Sequence, residues 1–251
     1  QIASERERDA ALHARLIELR NGIGTDIQAV KPKEESRTVT SLEGFTNHSG
    51  GAIGADTAWD NIGKEFGLTP EQNKHYYFEG YKTPIGNTPI STNLKNEADE
   101  KLIAANKTLG RKFPTAKEYV NNLLRRNWWQ VKNADAIFAI ASITDNKVNG
   151  GTGWAVHMAI AENKPVYVFD QTVGKWFTWS GSKFEESTTP QLTKNFAGIG
   201  TREINGVGKQ AIKDVYQKTL GITAPNQTNT PTTSVEPETP PTPVDSVYKF
   251  F

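Results

Sequence analysis

The stretch Asp135-Ala-Ile-Phe-Ala-Ile-Ala141 decides the expected fold class. Its six consecutive apolar residues are typical of a strand buried on both faces of a parallel sheet, because such a strand has no solvent-facing side. A helical pattern follows over residues 153–162, and a second apolar run, Pro165–Phe169, predicts the next strand. Strand, helix and strand in this order predict a parallel sheet covered by helices.

The rest of the domain extends this alternation in both directions. The pattern predicts strands at 45–47, 75–78 and 196–199, a hairpin at 176–185, and helices at 55–66, 91–109, 115–132 and 207–220. We therefore expect residues 41–222 to form an α/β, Rossmann-like domain with a mostly parallel sheet and helices on both faces. In such sheets, ligands bind outside the carboxyl ends of the strands.

Two segments flank this domain. Residues 1–40 are expected to form an amphipathic N-terminal helix over 1–21 and a polar linker, and residues 223–251 a disordered tail rich in Pro and Thr. The apolar end of the tail, around Phe250, is either the start of a further segment or a peptide that docks on this or a neighbouring subunit. Because the chain begins with Gln1, we expect it to have been trimmed, processed or excised from a longer chain.

Composition excludes several classes of function. The net charge is +1 with both signs interspersed, so no basic face for duplex nucleic acid is expected. The absence of cysteine excludes disulfides, thiolate metal sites and a cysteine nucleophile. The four histidines lack metal-ligand spacing and no apolar run is long enough to span a membrane, so we expect no metal site and a cytoplasmic protein.

The first of three glycine-rich segments, residues 47–56, joins a predicted strand to a predicted helix. Glycines here let the backbone approach a ligand closely, and the helix N-terminus that follows suits a phosphate. Asp56 is expected either to accept a ribose hydroxyl or to cap the helix, and the segment could instead be a tight turn. The ligand-binding candidates are Ser49, Gly50, Gly51, Gly54 and Asp56.

The second and third segments have the same placement between a strand and a helix. In the second, Trp154 is a candidate for stacking on a base, and in the third, the guanidinium of Arg202 could pair with phosphate or with a nearby acid such as Glu203. The second segment could also be a plain turn. The further ligand-binding candidates are Gly150, Gly151, Thr152, Gly153, Trp154, Gly200, Thr201 and Arg202.

All three segments are expected at equivalent ends of one sheet, so they should converge on a single crevice. His48, within the first segment, could contact phosphate or act as an acid or base, although a plain polar role is as reasonable. A packing role is favoured for His157. The candidate catalytic residues are His48, Asp56 and Glu203.

Ser49-Gly-Gly-Ala-Ile-Gly-Ala-Asp56 resembles the Ser-Gly-Gly-x-x-Gly-x-Asp loop of the SLOG superfamily. That group includes the DNA-processing protein A fold, lonely-guy-type phosphoribohydrolases and molybdenum-cofactor carrier-like proteins. The carrier-like proteins are the most similar, since they share patterns like Asn127-Trp-Trp-Gln-Val-Lys-Asn-Ala-Asp-Ala136 and Lys164-Pro-Val166. The resemblance covers about residues 43–170 and implies a nucleotide or molybdopterin-like ligand. Similar stretches in phage-encoded proteins suggest a phage origin. A phage-encoded protein would be located in the host cytoplasm or in the virion.

Two departures from the SLOG pattern bear on the interpretation. Phe196–Arg202 resembles the Gly-Ser-Arg strand that normally opens a SLOG domain, but it lies near the C-terminus. The chain is therefore either circularly permuted, which is the preferred interpretation, or begins a second, truncated copy at 195–221. Lonely-guy-type enzymes carry a catalytic Glu in the second segment, whereas Val156 or His157 stands here, which weakens a phosphoribohydrolase interpretation.

The sequence thus predicts a module that binds a nucleotide or nucleotide-derived ligand, such as a signal nucleotide, an ADP-ribose-like compound or a pterin-type cofactor. An enzyme that hydrolyses an N-glycosidic or phosphoester bond in a nucleotide is one alternative. The other is a structural or cargo module of a larger phage or bacterial assembly. A homo-oligomer, or a part of a larger chain or assembly, is expected in each case.

Overall fold

The computed structural model describes residues 39–222, apart from 79 and 81. The predicted N-terminal helix over 1–21 and the predicted tail from 223 lie outside the described residues. The strands are β1 (Thr46–Ser49), β2 (Asn73–Phe78), β3 (Thr88–Ile90), β4 (Ala136–Ala141), β5 (Ile143–Thr144), β6 (Lys147–Val148), β7 (Val166–Asp170), β8 (Lys175–Trp179), β9 (Phe184–Ser187) and β10 (Asn195–Gly200). The α-helices are α1 (Ala55–Glu65), α2 (Lys95–Leu109), α3 (Glu118–Asn133), α4 (Thr152–Ala161) and α5 (Gly206–Thr219).

Eight strands form the central sheet in the order β3-β2-β1-β10-β4-β7-β8-β9. The first six are parallel, and β8 and β9 extend the sheet as the antiparallel hairpin that the sequence predicted. All six residues of β4 are buried between two parallel neighbours, β10 and β7. The mostly parallel α/β sheet is therefore confirmed.

Helices cover both faces of this sheet, as predicted. The helices α2, α3 and α4 pack on one face around a core that includes Leu102, Trp129 and Met158. The helices α1 and α5 pack on the other, where Trp59 contacts the rings of Phe138, Phe196 and Tyr216. In the described part of the chain, no helix is both long enough and apolar enough to cross a bilayer.

The position of β10 in the sheet shows whether residues 195–219 belong to this domain or begin a second copy. This strand pairs in parallel with β1 on one side and β4 on the other, at the centre of the sheet. Gly198 in its middle lies under the Trp59 ring, to which a Cβ would come within 2.6 Å. The segment 195–219 is therefore an integral part of this domain and does not begin a separate copy.

Several predicted boundaries were wrong. Strand β1 continues through Ser49, so His48 and Ser49 are strand residues and do not lie in the following loop. Helix α2 begins at Lys95, after a 3-10 turn whose N-cap Ser91 makes no side-chain capping bond. Strand β3 and the β5–β6 hairpin were not predicted, because three residues around Pro89 and two-residue strands carry too little periodicity to be recognised.

Candidate functional site

A pocket of about 770 Å³ opens at the carboxyl ends of the central strands β1, β10 and β4. Residues from all three glycine-rich segments line it, so these segments converge at the sheet edge that the topology favours for ligands. The predicted residues that line it are Asp56, Gly150, Gly151, Thr152, Trp154, Gly200, Thr201, Arg202 and Glu203.

Asp56 connects two of the segments. Its carboxylate accepts hydrogen bonds from the backbone N–H groups of Ala52 and Gly200, each at 3.2 Å. Burial raises the pKa of the Asp56 carboxyl, and the nearby Arg126 guanidinium opposes this shift. Asp56 therefore holds the first loop against the end of β10 and also forms part of the pocket wall.

Arg126, on helix α3, is the site residue that sequence reasoning missed. Its side chain is buried, and its Nη1 donates to the carbonyl of Gly50 at 2.8 Å, while Nε has no hydrogen-bond partner in the described part of the chain. Among the described residues it forms no salt bridge, and burial lowers its pKa. Asp56 is near enough for the two charges to attract, but it is not within salt-bridge distance, so burial of this guanidinium is costly and Arg126 keeps hydrogen-bonding capacity at the pocket wall at the expense of stability.

The neighbouring Arg125 shows the contrast. Its guanidinium pairs with Asp99 at 2.6 Å and with Glu118 at 2.8 Å, on the outer side of α3. Consecutive residues of a helix point about 100° apart, so one arginine of this pair faces acids and the other faces the pocket. The sequence did indicate that Arg126 faces inward, since it shares a helix face with Leu123 and Trp129. It did not indicate that Arg126 would form no salt bridge.

Arg111, which precedes helix α3, fixes the second glycine-rich segment. Its guanidinium donates to the carbonyl of Gly150 and to that of Val148, both at 2.7 Å. Gly153 packs so closely that a Cβ would lie 2.2 Å from the Val148 carbonyl oxygen. At Gly150 and Gly151, by contrast, a Cβ would meet nothing within 4 Å, so these two glycines face open space in the pocket.

The third segment packs against the first through its glycines. A Cβ on Gly54 would lie 2.4 Å from the Cα of Arg202, and one on Gly200 would lie 2.2 Å from the Ile140 carbonyl oxygen. These glycines therefore allow loops and strands to approach one another. Arg202 is exposed at the pocket rim. Among the residues described, it forms no salt bridge with Glu203, which was the alternative role considered for it.

The remaining predicted residues lie away from the pocket lining. His48 packs within the sheet, its Nδ1 2.9 Å from the Tyr76 hydroxyl, and burial lowers its pKa. Ser49 is fully buried, and its Oγ atom has no hydrogen-bond partner among the residues that the structure describes. The other residues outside the lining are Gly50, Gly51, Gly54 and Gly153.

Trp154 lies at the pocket wall but belongs to the core. Only 4% of it is exposed, and its ring packs at 5.8 Å from that of Phe113. With so little of the side chain exposed, a base could not stack on the face of this ring without a rearrangement of the surrounding core. The described residues also contain no cluster of three or more side chains that could hold a metal ion.

Comparisons of the chain with protein-family models, with curated proteins and with solved structures give no match in any of the three. The resemblance to the SLOG superfamily therefore stays a prediction from the motifs themselves.

His157, which is buried in α4, should make the domain sensitive to acid. Burial lowers its pKa to about 4, helped by Arg111 and Lys147. The unfolded chain, with a histidine pKa near 6.5, then binds more protons than the folded chain between these two values, so the free energy of unfolding falls as the pH drops from 6.5 to 4. The variant His157→Phe retains a ring beside Trp179. When solvent screening is taken into account, we expect this variant to lose about 2 kcal/mol less stability than the wild type over this pH range.

Urea denaturation of both proteins at pH 7 and pH 4.5 measures this difference. An equal loss of stability in the wild type and in His157→Phe would show that other groups account for the acid sensitivity. His48, whose pKa is also lowered, is present in both proteins, and its contribution cancels in the comparison.

Proposed function

We propose that this domain binds a small anionic ligand of the nucleotide type in the pocket between the three glycine-rich segments. Arg126 is the observation that carries the proposal. This buried guanidinium has an Nε without a hydrogen-bond partner and no carboxylate within salt-bridge distance among the described residues. It therefore gains from an oxyanion, because charge-assisted bonds to phosphate strengthen in a water-poor site.

The charge of the lining supports an anion. Among the described residues that line the pocket, the basic side chains of Arg111, Lys112, Arg126 and Arg202 face only two acids, Asp56 and Glu203. Helices α1 and α4 begin at this edge of the sheet, and their first N–H groups and positive dipole ends favour phosphate. The pocket therefore favours a ligand with net negative charge.

Size and apolar surface support a ligand larger than phosphate alone. The volume of about 770 Å³ falls in the range of small-molecule and cofactor sites, roughly 300–1,000 Å³. Val120, Leu123 and Leu124 provide an apolar wall suited to a base or a pterin ring. Of the SLOG-like motif, only Ala52 and Asp56 line the pocket, so the motif supports the proposal through these two residues. Both a signal nucleotide and a molybdopterin-like cofactor belong to this ligand class.

Substitution of Gly151 tests whether the ligand binds in this pocket. Its backbone is helical, with φ −62° and ψ −31°, and its missing Cβ faces empty space, so a longer side chain there should fill the pocket without straining the fold. We expect Gly151→Glu to abolish ligand-induced stabilisation, because it adds bulk and a negative charge. Gly151→Gln is the matched control, which adds the bulk without the charge and should lose less affinity.

The measurement is a thermal-shift screen of the wild type and both variants. The ligands are inorganic phosphate, nucleoside mono-, di- and triphosphates, ADP-ribose and molybdopterin. At a hundredfold excess over its dissociation constant, a ligand adds about 2.7 kcal/mol to the stability of the folded state. If no compound raises Tm in the wild type, or if Gly151→Glu responds as the wild type does, the proposal is wrong. Gly51 is unsuitable for this test, because its φ is +61° and a Cβ there would press on Ile85 and Thr83.

A further inference from the structure

Gln130 lies one turn beyond Arg126 on the same face of helix α3. Only 2% of this glutamine is exposed, and it lines the pocket. No hydrogen bond joins its carboxamide to another residue that the structure describes. A carboxamide carries two donors and an acceptor, so Gln130 retains hydrogen-bonding capacity for a group that enters the pocket.

The Gln130 carboxamide and the Arg126 guanidinium pack against the same residue, Gly50. A Cβ on Gly50 would lie 2.6 Å from Gln130 Nε2, and 2.7 and 2.8 Å from Cζ and Nη2 of Arg126. The φ of Gly50 lies outside the left-handed region, so it is space, and not backbone conformation, that favours glycine here. The two side chains therefore lie side by side where the first loop leaves β1.

Two such groups can hold one oxyanion between them. The guanidinium has an Nε without a hydrogen-bond partner among the described residues, and the carboxamide nitrogen of Gln130 can donate two more bonds. A phosphate oxygen accepts from both kinds of donor, and its bond to the guanidinium is charge-assisted. A carboxylate at position 130 would instead pair with Arg126 and neutralise it. Glutamine has the shape of glutamate without the charge, so it leaves the guanidinium free to bind an anion.

We infer that Gln130 determines the specificity of the site by holding, together with Arg126, one phosphate oxyanion of the ligand next to Gly50. Because Gln130 is uncharged, the site accepts an anion from solution. This inference rests on the proposed function, and it adds to it the position of the phosphate and the second side chain that binds it.

Gln130→Glu tests whether the two side chains meet, and this test needs no ligand. In the wild type, the new carboxylate should form an ion pair with Arg126, although the buried Asp56 near the same guanidinium opposes it. In an Arg126→Met background, the same carboxylate would be buried without a cation, which is strongly destabilising. Urea denaturation should therefore show a clearly larger fall in the midpoint when Gln130→Glu is made in Arg126→Met than when it is made in the wild type.

Binding is measured by isothermal titration calorimetry with the compounds of the thermal-shift screen, from inorganic phosphate to molybdopterin. Gln130→Met keeps the length of the side chain but lacks the amide. It should weaken the tightest of these compounds about tenfold, the value of one hydrogen bond to a charged group. Gln130→Glu should weaken it further, because the carboxylate occupies Arg126 and repels the anion.

The outcomes separate this inference from the proposed function. If Gln130→Glu lowers the urea midpoint equally in both backgrounds, the two side chains do not meet, and the inference is overturned whether or not a compound binds. Undiminished affinity in Gln130→Met also overturns it, while the proposed function stands. If none of the compounds binds the wild type, the proposed function fails, and this inference fails with it.

Discussion

Replacing Arg126 by methionine should weaken ligand binding about thirtyfold or more and change the free energy of unfolding little. The affinity falls because a buried, charge-assisted contact to an anion is worth roughly 2–5 kcal/mol. Stability should change little, because the variant removes a buried charge that has no carboxylate within salt-bridge distance among the described residues, but it also removes the attraction between Arg126 and the buried Asp56. The carbonyl of Gly50 retains a donor, the Thr83 hydroxyl at 2.9 Å.

Arg125→Met is the control for this prediction. It removes a guanidinium that pairs with Asp99 and Glu118 outside the pocket, so it should cost about 1 kcal/mol of stability and leave affinity unchanged. Urea denaturation, and calorimetry with the nucleotide that stabilises the wild type most, measure the two effects. A loss of stability with undiminished affinity in Arg126→Met would make Arg126 a structural residue and would remove the main support for the proposed site.

Replacing Gly200 by alanine should destabilise the domain by about 3 kcal/mol or more. Its Cβ would lie 2.2 Å from the carbonyl oxygen of Ile140 and 2.9 Å from the backbone nitrogen of the same residue. Gly200 lies in β10 and Ile140 in the neighbouring strand β4, so these backbone atoms cannot move apart without breaking hydrogen bonds between the two strands. One bond that would be lost runs from the Thr201 N–H to the Ile140 carbonyl at 2.8 Å. Such a backbone clash is among the mechanisms that give large destabilisation.

Gly206→Ala is the matched control for that substitution. A Cβ on Gly206, the first residue of α5, would meet nothing within 4 Å, so alanine should stabilise the domain slightly, by up to about 1 kcal/mol. Urea denaturation of both variants against the wild type provides the comparison. Equal stability of Gly200→Ala and Gly206→Ala would show that the strands β10 and β4 tolerate a side chain at this contact.

The sequence by itself determined the class of fold and the places where loops carry glycine. The apolar run at 136–141 predicted a strand buried on both faces, and β4 is that strand. The alternation around it predicted the parallel sheet, the two helical layers and the β8–β9 hairpin. These features follow from local periodicity and from side-chain types, which are properties of neighbouring residues in the chain.

The tertiary structure alone decided which residues meet. The place of β10 between β1 and β4 depends on hydrogen bonds across about 60 and 150 residues, which no local pattern encodes. The roles of Gly54 and Gly200 depend on the backbone that faces them, and that backbone belongs to other segments. Arg125 and Arg126 have the same side chain, and only the packing of α3 gave one of them its acids and left the other at the pocket wall.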